Sequence, residues 1–511
     1  MYSYEWDAET GGYKLNNTPL SFSKEPRPVY YKELDILGFG QFWKYDKSDI
    51  FPYMWAESNN YYYRGRLVAK TKGGSLYQKP EIVLIDNPEP NGDYLCFVDI
   101  PAMVEKNREI MESLEQETIK KIYNYFMEYR KKVDVFYVAF SGGKDSVVTL
   151  DLVSRALPHN DFKVLFGDTG MEFPDTYEVA NKIEDWCGMQ NIDFLRSKSE
   201  YNPEYTWSQF GPPATVIRWC CSVHKTSPQI LLLRKVLGKD DFTGMAFVGV
   251  RGSESIARSE YDYVSLGEKH KGQWSCNPIL EWNSAELYLY IYSHDLILNE
   301  AYKKGNRRAG CLVCPGASER NEYMARTCYR EEFDALSKKI EEHYRQNFQS
   351  DERLKEFIEN GGWKARKNGR DLHFIPKYSD RVEKNKIIIQ INNPNVDWKI
   401  WMKTVGVLQK DNGSYNIIHR GKSYCFDLIE AGNSITVTID NEIAKRDPLF
   451  IKYFKNVFRK SAQCIGCHEC EADCHNGCLT MQEGRVHISD DCKHCSECHK
   501  ALKGCLVYNS I

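Results

Sequence analysis

The chain has 511 residues, 27% of them charged, with a net charge of −3. At about 100 to 200 residues per domain it holds several domains, and its near-neutral balance excludes whole-surface attraction to nucleic acid, leaving only local basic patches for that purpose. No stretch reads as a signal peptide or approaches the roughly 18 apolar residues of a membrane span, so a cytoplasmic protein with no membrane partner is expected.

In chain order, residues 1–104 are rich in aromatic side chains, and the runs 61–74 and 81–86 read as strands of a small β-rich domain. Residues 105–132 read as an amphipathic linker helix with Leu114, Ile119, Ile122 and Phe126 close to one stripe. From 133 to 320 strands alternate with helices, the α/β pattern of a doubly wound parallel sheet. Residues 321–371 read as a charged helical extension. A small α+β domain over 372–459 follows, marked by the strand-like runs 387–391 and 434–439, and a cysteine-rich segment closes the chain over 460–511.

The stretch VFYVAFSGGKDSVVTLDLVSRAL, residues 135–157, combines a buried strand, a glycine turn and a helix stopped by Pro158. A helix N-terminus entered through glycines presents free N–H groups to an anion, and Lys144 adds a point charge. The spacing is not that of a Walker A loop, and an ordinary strand-to-helix turn would read the same way. Two further strand-like runs end at Asp168 and Gly170 and at Arg251. In a parallel sheet these ends share one rim with the glycine turn. Alone, Asp168 reads equally as a helix cap and Arg251 as a surface cation; together with Lys144 they favour a phosphate-bearing ligand, with both side chains expected at a solvent-accessible strand end.

SGGKDS, DTGMEFPDT, GVRGSESIAR and NPILEWNSAELYLYI, in that order, resemble the motifs of the phosphoadenosine phosphosulfate (PAPS) reductase family, part of the PP-loop or ATP pyrophosphatase superfamily. The resemblance covers roughly residues 133–320. It implies that Ser141, Gly142, Gly143 and Ser146 cradle phosphate, that Lys144 supplies charge, and that Asp145 caps or orients the loop, with Asp168, Gly170 and Arg251 completing an adenine-nucleotide site. Mg²⁺ would bridge the phosphates. Lys144, Asp168, Arg251 and Cys220 are the implied catalytic residues.

Eighteen cysteines would suit a disulfide scaffold, but half of them lie between Cys464 and Cys505 at metal-ligand spacing, which reads as reduced thiolates on metal. Upstream, RWCCSVHK and AGCLVCPG supply Cys220, Cys221, Cys311 and Cys314. A CC pair followed far downstream by CxxC resembles the [4Fe–4S] pattern of adenylyl-sulfate reductases and also the sulfur-inserting protein of DNA phosphorothioation systems. Zinc and plain buried thiols are the alternatives. The tail resembles a bacterial ferredoxin with two [4Fe–4S] clusters. That implies one cluster on Cys464, Cys467, Cys470 and Cys505 and another on Cys492, Cys495, Cys498 and Cys474. Cys474 is followed by His475 rather than proline, Cys505 lies seven residues after Cys498, and Cys478 is left over as a substitute ligand.

Dedicated sulfonucleotide reductases carry an ECGLH-like nucleophile segment, absent here, and usually a degenerate loop, whereas this loop is intact. The leading expectation is therefore an ATP-dependent enzyme that adenylates a substrate, releases pyrophosphate and transfers sulfur or performs a related redox step. The alternatives are a reductase of adenylyl sulfate or PAPS fed by its own ferredoxin domain, and a nucleotide-gated redox subunit. A redox or sulfur-donor protein is an expected partner. Nucleic acid stays open because the basic runs 303–308 and 364–370 sit near the motifs.

Overall fold

The apolar run β1 (Val135–Phe140) is buried on both faces and occupies the centre of a six-stranded sheet. The other strands are β2 (Lys163–Asp168), β3 (Asp193–Lys198), β4 (Gly244–Phe247), β5 (Val264–Leu266) and β6 (Gln273–Cys276), in the spatial order β3-β2-β1-β4-β6-β5. Strands β2, β1, β4 and β6 run parallel, with Val138 opposite Val164 and Gly244 opposite both Val135 and Gln273. Strand β5 pairs antiparallel with β6. The chain leaves β1 toward β2 on one side and later returns to β4 on the other, so the crevice between the carboxyl ends of β1 and β4 is a topological switch point, where open α/β sheets bind ligands. This computed structural model describes all residues except 20–24, 89–93, 267–271, 412 and 501–503.

Two compact units divide the chain: residues 1–197 with 243–337, and residues 198–242 with 338–511. In the first, the linker helix runs from Ile100 to Tyr129, beginning earlier than its apolar stripe suggested because the Asp99 carboxylate caps it, accepting the Ala102 N–H at 3.0 Å. The N-terminal strands form a hairpin (Tyr2–Asp7 with Gly12–Pro19) and a five-stranded sheet over residues 26–84. The hairpin packs into the core of the central sheet, whereas the five-stranded sheet builds a core of its own around Phe39, Trp43, Met54 and Tyr61. Tyr13 is fully buried in the central-sheet core and its hydroxyl donates to Ala285 O at 2.9 Å. Buried Glu33 is held by Arg27, by Arg320 at 2.7 Å and by the Tyr61 hydroxyl at 2.7 Å.

In the second unit, residues 378–440 form a six-stranded antiparallel sheet, with period-2 burial along Lys386–Asn392 and Ser434–Asp440. Helix Pro448–Gln463 places Phe450, Phe454, Val457 and Phe458 in its core. The cysteine-rich segment follows at once and contains one antiparallel hairpin, Leu479–Gln482 with Arg485–Ile488. Residues 198–242, inserted between β3 and β4, supply helices Pro203–Phe210 and Ser227–Leu237 to this unit.

Candidate functional site

The glycine turn has the backbone its chemistry requires. Gly142 lies at φ 70°, where a Cβ would come within 2.8 Å of Thr176 Cγ2, so only glycine fits. The Ser146 hydroxyl donates to Gly143 O at 2.8 Å and accepts the Ser141 N–H at 3.2 Å, fixing the loop from inside. Helix Lys144–Ala156 starts directly at the turn, with Gly143 as its N-cap and no side-chain cap.

Asp145, expected to cap or orient the loop, acts through its side chain on two cations rather than as a helix cap. Its two oxygens bind two cations, Oδ2 accepting from Lys144 Nζ at 2.6 Å and Oδ1 from Arg251 Nε at 2.6 Å. Burial opposes ionisation of Asp145, but Lys144 and Arg251 outweigh it and hold the carboxyl well below the usual range. Nor do the cations sit at an open rim: relative exposure is 5% for Lys144, 2% for Arg251 and 6% for Asp168. The cover on Arg251 is Glu25, whose carboxylate takes Nη1 at 2.6 Å and also accepts the Ser284 hydroxyl. Strand β4 ends at Phe247, and an extended loop carries the chain on to Arg251.

Asp168, at the end of β2, accepts the Gly170 N–H at 2.9 Å and the Tyr177 hydroxyl at 3.0 Å, so it fixes its own DTG turn. That turn meets the second cysteine pair. Leu312 N donates to Met171 O at 2.8 Å and Phe173 N to Gly310 O at 3.1 Å, an antiparallel contact that places Cys311 Sγ 3.8 Å from Thr169 Oγ1 and 3.6 Å from Glu172 Oε1. Asp168, Gly170 and Cys311 are thus brought together at one rim.

Several residues of this site carried no sequence signal. The Tyr302 hydroxyl accepts the Lys144 N–H at 3.2 Å and its ring lies 5.4 Å from Lys144 Nζ. Asn299 Nδ2 reaches Gly142 O and Thr176 Oγ1, both at 3.1 Å. Glu25, Asn299 and Tyr302 belong to no spaced motif and reach the site only through the fold, whereas Glu172 lies within the DTGMEFPDT motif.

Cys220 and Cys221 begin a helix that passes through a π turn, Ser222–Thr226, into Ser227–Leu237, an irregularity often found at functional sites. Cys220 is half-buried and Cys221 exposed. They belong to the second unit and Cys311 and Cys314 to the first, so their joint ligation rests on the sequence pattern.

In the tail both cysteine triplets adopt one backbone form. Gly466 and His494, the residues before the second cysteine of each triplet, lie at φ 75° and 50°, and His468 and Ser496, the residues after it, at 63° and 66°. Left-handed backbone at three non-glycine residues is costly, and it recurs at matching positions in both triplets. Cys464, Cys467, Cys474 and Cys492 each receive the N–H of the residue two further on, namely Gly466, Glu469, Asn476 and His494. Cys464, Cys467, Cys470 and Cys505 are electrostatic neighbours. Cys474, Cys478, Cys492, Cys495 and Cys498 line a single cavity. Among the described residues no three His, Cys, Asp or Glu side chains converge as ligands of one ion. Thiols spread around a space suit a multi-iron cluster better than zinc, whose four sulfurs must all lie about 2.3 Å from one metal.

Most of the basic run 303–308 is engaged internally: Lys303 pairs with Glu300 at 2.7 Å, Lys304 with Asp175 at 2.8 Å, and Arg307 Nη2 donates to Ser58 O at 2.6 Å. Arg366 in the second run is 4% exposed and donates to Pro212 O at 2.7 Å and Phe210 O at 3.0 Å. These side chains hold loops rather than face a phosphate backbone. No helix among the described residues is long and apolar enough to cross a membrane.

Residues 136–317, which hold the glycine loop, the DTG turn, Arg251 and Cys311, match the family model for the phosphoadenosine phosphosulfate reductase domain. Over these residues the chain is similar to PAPS reductase domains. An uncharacterized protein of Methanocaldococcus jannaschii, MJ0973, is 32% identical over 47% of this chain and 56% of its own length. A second, MJ0066, is 32% identical over 51% and 52%, so the chain spans about half the length of these relatives. An adenosine 5'-phosphosulfate reductase of Geobacillus thermodenitrificans is 28% identical over 36% of this chain and 75% of its own. Among solved structures, a phosphoadenylyl-sulfate reductase of Candida auris aligns with 40% of this chain and 95% of its own at 19% identity and a TM-score of 0.30. The nucleotide-binding PP-loop fold expected from the sequence is the fold of the central sheet.

Proposed function

We propose that the chain binds ATP on the loop 141–146, directs a substrate oxygen at the α-phosphorus, and releases pyrophosphate, leaving an adenylated substrate for sulfur transfer or reduction. The observation that carries this reading is the sharing of Asp145 by Lys144 and Arg251. Two buried cations are held by Asp145 at a helix N-terminus, with Glu25 on Arg251 as well, and a pyrophosphate leaving group can compete with these carboxylates for the cations and the free N–H groups. Ser141, Gly142, Gly143 and Ser146 shape the loop, Asp168 and Gly170 hold the facing turn, and Mg²⁺ would supply further charge neutralisation when bound.

The tail thiols fit [4Fe–4S] clusters on the grounds given above: repeated left-handed turns, N–H groups aimed at sulfur, and a thiol-lined cavity. Cys464, Cys467, Cys470 and Cys505 would hold one cluster, and Cys474, Cys492, Cys495 and Cys498 the other, in a ferredoxin-like arrangement. By sequence pattern Cys220, Cys221, Cys311 and Cys314 would hold a third, with Cys220 as the implied catalytic thiol. Such clusters supply one-electron transfer, and a redox or sulfur-donor protein would be the partner.

A second reading, reduction of adenylyl sulfate or PAPS, is favoured by the similarity to adenosine 5'-phosphosulfate reductases and by the seating of Cys311 against the DTG turn. Anaerobically purified protein incubated with ATP and candidate acceptors, or with either sulfonucleotide, separates the two. Pyrophosphate with an adenylated product supports the first reading. Sulfite release from a sulfonucleotide, with no ATP turnover, replaces it by the second.

A further inference from the structure

Lys460 is 1% exposed, in the last turn of the helix that leads into the cysteine tail. A buried ammonium is very costly unless an anion compensates it. Among the described residues no carboxylate forms an ion pair with it, and its Nζ donates to Cys470 Sγ at 2.7 Å. The Trp401 ring lies 4.4 Å from Nζ on another side. Cys470, Cys498 and Cys505 are its main electrostatic partners, and the carboxyls of Glu469 and Asp473 feel its charge without pairing with it. Neutral thiols do not balance an ammonium, whereas thiolates bound to an iron–sulfur cluster carry net negative charge.

The same end of the tail is where residues 198–242 attach. The Tyr201 hydroxyl lies 2.8 Å from Ile465 O, the Ser227 hydroxyl donates to Glu469 at 2.7 Å, and Arg234 donates to Glu471 O at 2.7 Å and Ala472 O at 2.8 Å. All of these acceptors belong to the loop that carries Cys464, Cys467 and Cys470, and the attached segment carries Cys220 and Cys221.

We infer that Lys460 is the counter-cation of the cluster on Cys464, Cys467, Cys470 and Cys505, and that it raises the potential of this cluster above that of its neighbour, making it the point where an electron leaves the tail toward residues 201–234. The inference rests on the iron–sulfur reading. A fixed positive charge against one ligand sulfur favours the reduced, more negative state, and in a low-dielectric site the effect is large. An electron taken from a low-potential one-electron donor, which is thereby oxidised, comes to rest beside Lys460.

The test uses the full chain purified without oxygen. Iron and acid-labile sulfide in the wild type are measured first; their absence sinks the cluster reading itself, independently of Lys460. Redox titration followed by electron paramagnetic resonance then compares Lys460→Met and Lys460→Gln with Lys460→Arg. In the two neutral variants one cluster should become at least tenfold harder to reduce, about 59 mV for one electron, while the others move less and the arginine variant stays near the wild type. Unchanged potentials in iron-loaded neutral variants overturn the inference. So does loss of iron from both, which would make Lys460 an assembly residue.

Discussion

Arg251 and Asp145 meet across the switch point of the sheet, Nε donating to Oδ1 at 2.6 Å, and so join the loop after β4 to the helix after β1. With Lys144 on its other oxygen, Asp145 occupies the place of an anion within the loop's own structure.

The first prediction concerns that carboxylate. Breaking a buried pair from one side costs about 3 to 5 kcal/mol, because the partner charges stay buried without compensation. Asp145→Asn should lower the melting temperature of the free protein, and pyrophosphate should stabilise the variant more than it stabilises the wild type. Calorimetry with and without pyrophosphate measures both. Equal stabilisation of the two proteins would show that the cations do not face the ligand.

Lys144→Ala tests the grip itself. It removes one cation while Arg251 continues to neutralise Asp145, so the fold should survive. Affinity for ATP should fall by about 1 to 3 kcal/mol, the worth of a charge-assisted hydrogen bond. AMP, which lacks the leaving pyrophosphate, should bind the two proteins alike in calorimetric titration. An equal loss for both nucleotides would place Lys144 elsewhere in the site.

What could be read from the sequence followed how local each signal is. Strand β1, the turn at Gly142 and the helix from Lys144 are local, written in apolar runs, glycines and spacing, and the structure places them at the residues expected. The tail repeat was legible for the same reason, as a spacing that imposes one backbone form on both triplets. Ion pairing was not legible. The role of Asp145 depends on Arg251, more than a hundred residues away, and the cover on Arg251 comes from Glu25 in the N-terminal segment, which no pattern links to the loop. The pairing of the basic run 303–308 was equally hidden, because sequence reports charge and not the carboxylates that meet it in space.

His224 gives the second unit a pH signature. It is 1% exposed and shares a 2.8 Å hydrogen bond with the Thr206 hydroxyl. Burial pushes its pKa down to about 4 from the ordinary 6.5. Between those values the unfolded chain binds the proton and the folded one does not, so stability is unaffected above about pH 7 and falls as pH drops through 6.5 toward 4. The full loss is about 3 kcal/mol. The urea midpoint of the wild type should decline over that window, and His224→Gln, which cannot titrate there, should flatten the decline. An unchanged slope would mean that the imidazole is already protonated in the folded protein.

The last prediction decides between two cysteines. Cys474 and Cys478 line the same cavity as Cys492, Cys495 and Cys498, and a cluster there needs only one of them beside those three. Their hydrogen bonds differ in kind. Burial pushes the Cys474 thiol up, but the backbone N–H groups of Leu479, Asn476 and Cys478 face its sulfur and would suit a metal-bound sulfur. The Cys478 thiol instead points its proton at carbonyls, Asn476 O at 3.4 Å and Asp491 O at 3.5 Å, partners that a thiolate would repel. Cys474 is therefore expected to be the ligand and Cys478 to stay outside the cluster as a structural residue. Cys474→Ser should lose one cluster's iron and sulfide and its visible absorbance, whereas Cys478→Ser should keep both, because a serine hydroxyl can donate to the same carbonyls. Loss of iron from Cys478→Ser with retention in Cys474→Ser would reverse the assignment. Full occupancy in both variants would mean that neither sulfur is required and that the fourth ligand comes from elsewhere in the chain.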